Sequence, residues 1–277
     1  MLSEKTENRA GNRPYPIQEV DHSNTYIIGD IHGCERALKS VLKRLAPDEK
    51  EDRLILLGDL YDRGPESWEV FQTVKGLAEA YGDRFVLLRG NHEDYLLSPK
   101  LSFTDRMVWN RVGKKTTVQS FKEHGEKMED TADWIRDHAV LFYRNDEFQC
   151  VHAGVKIEPL EMNDLHTMIH DHGVVLENRY SGPLTIVGHI ALQKPTWFGG
   201  AEGTEFRVEK VDENTAAGKG LSRTKLQILE ENVWYKLPRT GVLCIDAGCG
   251  KGGRLIGMQI TDGKFILRGM AENGLPR

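Results

Sequence analysis

Short apolar runs alternate with helix-period segments along the first third of the chain. The runs predict buried β-strands over about 24–29, 53–58 and 84–88. Between the first two, Ala37, Leu38, Val41, Leu42 and Leu45 recur at helical spacing over 34–46, and Pro47-Asp48 closes that helix. Between the second and third, Trp68, Phe71, Val74, Leu77 and Ala78 share a face that begins after Pro65 and ends at Gly82. This strand–helix alternation predicts an α/β layer with a partly parallel sheet. From 98 to 140 the pattern changes to aromatics mixed with charges. A helical cap or insertion is expected there, with one helix over 118–138 presenting Val118, Phe121, Gly125, Met128, Ala132 and Ile135. Strand propensity returns at 140–143, 147–151, 184–187, 205–211, 242–245, 255–260 and 264–267. Asp262-Gly263 between the last two predicts a type I′ hairpin. Residues 1–22 are polar with two prolines and read as a flexible lead-in, and 23–277 as one domain.

The strands end alike. Each of five runs breaks into glycine or alanine next to side chains able to bind a cation: Gly29-Asp30-Ile31-His32-Gly33, Gly58-Asp59-Leu60-Tyr61-Asp62-Arg63-Gly64, Arg89-Gly90-Asn91-His92-Glu93, His152-Ala153-Gly154 and Gly188-His189. Ligands of open α/β sheets bind just beyond the carboxyl ends of strands. A lone Asp-x-His is commonly accidental, and a lone His152 reads as a hydrogen-bonded core histidine. Five such ends in one chain would bury unpaired carboxylates and imidazoles at high cost, and metal ions remove that cost. Carboxylate, imidazole and amide donors together suit manganese, iron or zinc. Asp30 and His32 are assigned to one ion and Asn91, His152 and His189 to a second. Asp59 bridges, because a carboxylate has two oxygens. Two cations roughly 3.5–4 Å apart can hold a hydroxide and clamp an in-line displacement, which points to a phosphoryl centre. His92, oriented by Asp62, is the expected general acid. Arg63 and Arg89 offer guanidinium forks suited to phosphate, with pairing to Glu93 as the structural alternative for Arg89.

Composition adds bounds rather than function. The 277 residues are 39% hydrophobic and 29% charged, with a formal net charge of -5, which gives no support to a nucleic-acid partner. No apolar stretch has the length of a membrane span, so membrane association is not expected and a cytoplasmic setting is. Cys34, Cys150, Cys244 and Cys249 match neither a disulfide framework nor a zinc knuckle. His166, His170 and His172 read as an exposed loop cluster. Trp109, Trp134, Trp197 and Phe198 read as core, with base stacking as the alternative.

Taken together, the five strings resemble the calcineurin-like metallophosphoesterases, in the phosphoprotein phosphatase branch that includes serine/threonine protein phosphatases and symmetrical diadenosine tetraphosphate hydrolases. The resemblance implies a four-layer α-β-β-α sandwich with a dinuclear centre between two mixed sheets. It implies the same ligand roles, His92 with Asp62 as the acid pair and Arg63 on phosphate. Manganese is the expected ion in vitro, with iron or zinc as alternatives. The protein phosphatases carry a second phosphate-binding arginine, for which Arg179 is the candidate here. The usual Gly-His-Thr-Pro is Gly188-His189-Ile190-Ala191 in this chain. The retained Asp62-Arg63 step favours hydrolysis of phosphate monoesters, phosphoserine or phosphothreonine in proteins. The alternatives are a dinucleoside tetraphosphatase or other nucleotide pyrophosphohydrolase, and a non-catalytic metal-stabilised scaffold.

Overall fold

In the computed structural model, which describes residues 24–98, 100–176, 180, 182–199, 208–211 and 226–275, the opening alternation builds β1 (Thr25–Ile28), α1 (Glu35–Leu45), β2 (Arg53–Leu56), α2 (Ser67–Tyr81) and β3 (Phe85–Leu88). Every residue of these three strands is buried. That is why they read as continuous apolar runs rather than as an in-out alternation. α1 buries Ala37, Leu38, Val41 and Leu45, and left-handed Ala46 caps it. The lead-in over 1–22 and Arg179 lie outside the described residues, as does the 205–207 part of the strand expected over 205–211, while its described part, 208–211, carries only an isolated bridge from Lys210 to Tyr235.

After α3 (Asn91–Leu97) the insertion is helical: α4 (Phe103–Val112), α5 (Lys114–Glu123) and α6 (Ala132–His138). The single helix expected over 118–138 is divided. Gly125 turns left-handed at φ +74° after α5, and a 3₁₀ turn at Met128–Thr131 leads into α6. Phe121, Met128 and Ile135 still reach the core, whereas Val118 is exposed. The break lets α5 pack against α2 and α6 against α3.

The rest of the chain supplies β4 (Ala139–Val140), β5 (Phe142–Arg144), β6 (Gln149–Val151), α7 (Leu165–His170), α8 (Gly173–Leu176) and β7 (Thr185–Val187). It continues with β8 (Thr196–Phe198), β9 (Leu226–Ile228), β10 (Trp234–Lys236), β11 (Val242–Cys244), β12 (Arg254–Thr261) and β13 (Lys264–Ala271). Asp262 and Gly263 both have positive φ, as a type I′ hairpin requires.

Two mixed sheets result, in the orders β10-β13-β12-β1-β2-β3-β4 and β5-β6-β7-β11-β8-β9. β1, β2, β3 and β4 run parallel, so β1 to β3 all end at the same edge. In the second sheet β6, β7 and β11 run parallel. Three apolar layers hold the stack. Ile28, Leu56 and Leu87 face α1, α2 and the insertion helices. Ile27, Ile55 and Val86 meet Cys150, Ile186, Trp197 and Leu243 between the sheets. Val151, Val187 and Cys244 face Met168, Ile169 and Val174 on the far side. Helix, sheet, sheet and helix therefore stack in the expected four layers, and the ends of β1, β2, β3, β6 and β7 converge on one site.

Candidate metal centre

The backbone at the converging ends is set by tight turns. His32, Asp59, Asp62, Arg63 and His189 all adopt positive φ between 48° and 71° without being glycine. Such conformations persist only where the surroundings over-determine them, and they cluster at functional sites. Glu93 provides part of that determination. Its buried carboxylate accepts from the N–H groups of Asp59 (2.8 Å), Leu60 (2.8 Å) and Gly90 (2.9 Å), tying the end of β2 to the end of β3. Gly188 allows a close approach: a Cβ there would fall 2.0 Å from Asp30 Oδ1.

Asp59 stands at the middle. Its Oδ2 is 3.4 Å from His32 Nε2, and its Oδ1 is 3.4 Å from His152 Nε2. His152 Nε2 and His189 Nδ1 lie 3.2 and 3.1 Å from Asn91 Oδ1. Asp30 Oδ2 is 4.0 Å from His32 Nε2 and accepts from the His189 N–H. Two backbone carbonyls fix the rings. His32 Nδ1–H donates to Tyr61 O at 2.9 Å and His152 Nδ1–H to Leu57 O at 2.7 Å, leaving each Nε2 lone pair aimed inward. Asp59, His152 and His189 form one group whose ligand atoms lie within 4.8 Å of one another, and His32, Asp59 and His92 form another.

The electrostatics fit cations. Burial drives the Asp30 carboxyl well above its ordinary range, and the charges of Asp246 and Asp59 push it further. Burial also raises Asp59, but the surrounding His152, His92 and His32 outweigh it and hold Asp59 ionised. Burial pushes His32 well down and, with His152 close by, pushes His189 down to about 2. The imidazoles are thus neutral and ready to donate lone pairs. Asp30 Oδ1, His189 Nε2 and Asp246 Oδ2 are buried with no hydrogen-bond partner among the described residues. Orphaned acceptors in a buried site are what two divalent ions would satisfy.

His92 is placed differently. Its Nδ1–H donates to Asp62 Oδ2 at 2.6 Å, and its Nε2 lies 3.8 Å from Asp59 Oδ2. Burial lowers the imidazole, yet Asp59 and Asp62 together raise it. Arg63 is half-buried with its guanidinium against His32. Arg89 is buried and paired with Asp94, where the sequence offers Glu93 as the structural alternative to phosphate binding. Of the three histidines expected in an exposed loop, His166 and His172 are exposed and His170 is half-buried on α7, and the ring centroids of His170 and His172 lie 6.4 and 4.6 Å from that of His189. The stacking alternative for the aromatics is not met. Trp109, Trp197 and Phe198 are buried, and Trp134 packs edge-on to Phe71. All four cysteines are buried and free.

Asp246 was not singled out by sequence reasoning. It is 1% exposed and stands two residues past the end of β11, with Oδ1 accepting from the Gly248 N–H at 2.8 Å. The signal was the same strand-end grammar, in Ile245-Asp246-Ala247-Gly248. Trp109 and Thr117, which hold Asp62, carried no local signal.

Known proteins agree with this geometry. The family model for calcineurin-like phosphoesterases matches residues 23–213. A symmetrical bis(5'-nucleosyl)-tetraphosphatase of Pseudomonas fluorescens (strain SBW25) is 34% identical over 132 residues, 47% of this chain and 43% of its own length. The protein of that name from Thioalkalivibrio sulfidiphilus (strain HL-EbGR7) is 32% identical over 165 residues, 56% of this chain and 57% of its own. The chain spans about half the length of the curated relatives it matches. Among solved structures, a metallophosphoesterase from Sphaerobacter thermophilus superposes with a TM-score of 0.53 at 17% identity, covering 91% of this chain and 95% of that one. A cold-active protein-tyrosine phosphatase of a psychrophile, Shewanella sp., gives 0.57 at 14% identity, covering 96% and 83%. These two likenesses show the fold. No helix among the described residues is long and apolar enough to cross a membrane. With five strand ends gathered into a dinuclear metal-binding site and a family match over most of its length, the chain is an enzyme of the calcineurin-like phosphoesterase family.

Proposed function

We propose that the chain hydrolyses a phosphoanhydride bond in a nucleotide polyphosphate, with symmetrical dinucleoside tetraphosphates as the substrate class. The observation that carries this reading is the identity shared with proteins named as symmetrical bis(5'-nucleosyl)-tetraphosphatases. It displaces phosphoserine and phosphothreonine from first place.

Asp30, His32 and Asp59 would hold one cation, and Asp59, Asn91, His152 and His189 the other. Bound there, the pair would supply the charge that makes a water nucleophilic at neutral pH and neutralises the phosphoryl oxygens. Manganese is the first ion to test, then iron and zinc. The chain's own residues do the rest. His92 carries a proton at Nε2, held in orientation by Asp62 through Nδ1, and delivers it to the leaving oxygen. Arg63 takes a phosphoryl oxygen. Arg89, buried against Asp94, is assigned to holding α3 rather than to phosphate.

Phosphomonoester hydrolysis is the second reading, favoured by Asp62 and Arg63 standing together beside the site. A panel of diadenosine tetraphosphate and phosphopeptides with added manganese separates the two. The expected result is two nucleoside diphosphates from each tetraphosphate. Phosphate release from phosphopeptides alone would overturn the first reading in favour of the second.

A further inference from the structure

Asp62 is fully buried, and its carboxylate receives three hydrogen bonds among the described residues. One comes from His92. The other two come from the helical insertion, 47 and 55 residues along the chain. The Trp109 indole N–H donates to Oδ2 at 2.8 Å, the same oxygen that faces His92. The Thr117 hydroxyl donates to Oδ1 at 2.7 Å. The same hydroxyl oxygen accepts from the Asp62 backbone N–H at 2.9 Å, so Thr117 fixes the main chain and side chain of Asp62 at once. Between the two residues, the α4–α5 junction sits on this turn. A Cβ at Gly113 would fall 2.1 Å from Arg63 N. Trp109 and Thr117 are 5% and 0% exposed, so water does not compete for these bonds.

We propose that the insertion is a clamp on the proton donor, with Trp109 and Thr117 as positioning residues that set the Asp62 carboxylate and, through it, the His92 ring. A carboxylate bonded only to His92 could rotate about its χ2 and take the imidazole with it. Two further donors, one on each oxygen, leave a single orientation. This inference rests on His92 being the acid, so its test must separate the two.

The test measures turnover of manganese-loaded wild type and variants on aryl phosphates of graded leaving-group acidity. A poor leaving group needs the proton, and a nitrophenolate scarcely does. His92→Asn should lose about 100-fold or more on phenyl phosphate and much less on nitrophenyl phosphate. Trp109→Phe and Thr117→Val should follow the same slope at roughly tenfold on phenyl phosphate, the size expected for one bond to a charged group. Thr117→Ser, which keeps the hydroxyl, should recover most of the loss. A second readout needs no turnover: in nitrogen-edited NMR spectra of the metal-free protein, Trp109→Phe and Thr117→Val should shift the His92 ring signals. If both variants lose activity equally on all leaving groups, or leave the His92 signals unmoved, the clamp is overturned while the acid assignment stands. If His92→Asn itself shows no leaving-group dependence, the acid assignment fails and the clamp falls with it.

Discussion

At the scale of single residues the site turns on the two oxygens of Asp59. Oδ2 faces His32 and Oδ1 faces His152 at equal distances of 3.4 Å, so each oxygen serves a different donor group. Replacing Asp59 with Asn would put an N–H₂ where one of the two groups needs a lone pair, and would remove a charge that both groups share. The expected outcome for Asp59→Asn is loss of affinity for both ions, not for one, by about tenfold to 100-fold or more, the scale on which even outer partners of a metal site act. Elemental analysis after dialysis checks it, and two ions retained at wild-type affinity would contradict the bridge. Asp246 poses the opposite case. It has one oxygen satisfied by Gly248 and one orphaned, and its burial raises its proton affinity, so it stands beside Asp30 as a second carboxyl that the cations would relieve.

Elements are where sequence and structure part. The strand runs were legible because burial on both faces leaves no polar positions, and their ends were legible because glycine, aspartate and histidine recur there. β8, β9 and β10 are three residues each, too short for a periodicity, and α7 and α8 have only six and four. The break after α5 was hidden because Gly125 fitted the spacing of a helix face while its φ of +74° ends the helix. The hold of Trp109 and Thr117 on Asp62 was illegible for another reason: no local pattern records which distant side chain a carboxylate will meet. Gly113 belongs to the same hidden contact. It has φ +126°, and its missing Cβ leaves room for the Arg63 main chain. Gly113→Ala should therefore strain the α4–α5 junction by about 1–3 kcal/mol, as an L-residue in that backbone region does. It should also lift the junction from the Asp62–Arg63 turn. Denaturant unfolding gives the stability loss and turnover gives the displaced turn. A variant with unchanged midpoint and unchanged rate would show that the junction is not seated on the turn.

Across the whole molecule, the metal site links folding, cation binding and pH. In the metal-free chain, burial first and then the charge of Asp59 raise the carboxyls of Asp30 and Asp246, with Asp246 adding to the rise at Asp30. Their stabilising contribution is complete below the ordinary carboxylate range and is lost as pH rises through the raised values. The depressed imidazoles of His32 and His189 act in the reverse sense. Their contribution is present above the ordinary histidine value and is lost as pH falls below about 6.5. Cation loading needs ionised carboxyls and neutral imidazoles. The imidazoles are already neutral, so the protons expelled on loading come from the carboxyls, and affinity must climb with pH until those carboxyls are ionised. Since a ligand bound only by the folded state stabilises it as the logarithm of one plus the ratio of its concentration to Kd, the melting-temperature gap between manganese-loaded and chelated protein should widen as pH is raised from about 5 to about 8. Calorimetric titration of manganese in two buffers of different ionisation enthalpy counts the protons directly. Proton release on loading, persisting for as long as the buried carboxyls of the metal-free chain hold protons, is the expected result. Proton uptake on loading, or a gap that narrows with rising pH, would mean that the buried carboxyls are ionised without the cations and that something else in the site balances their charge.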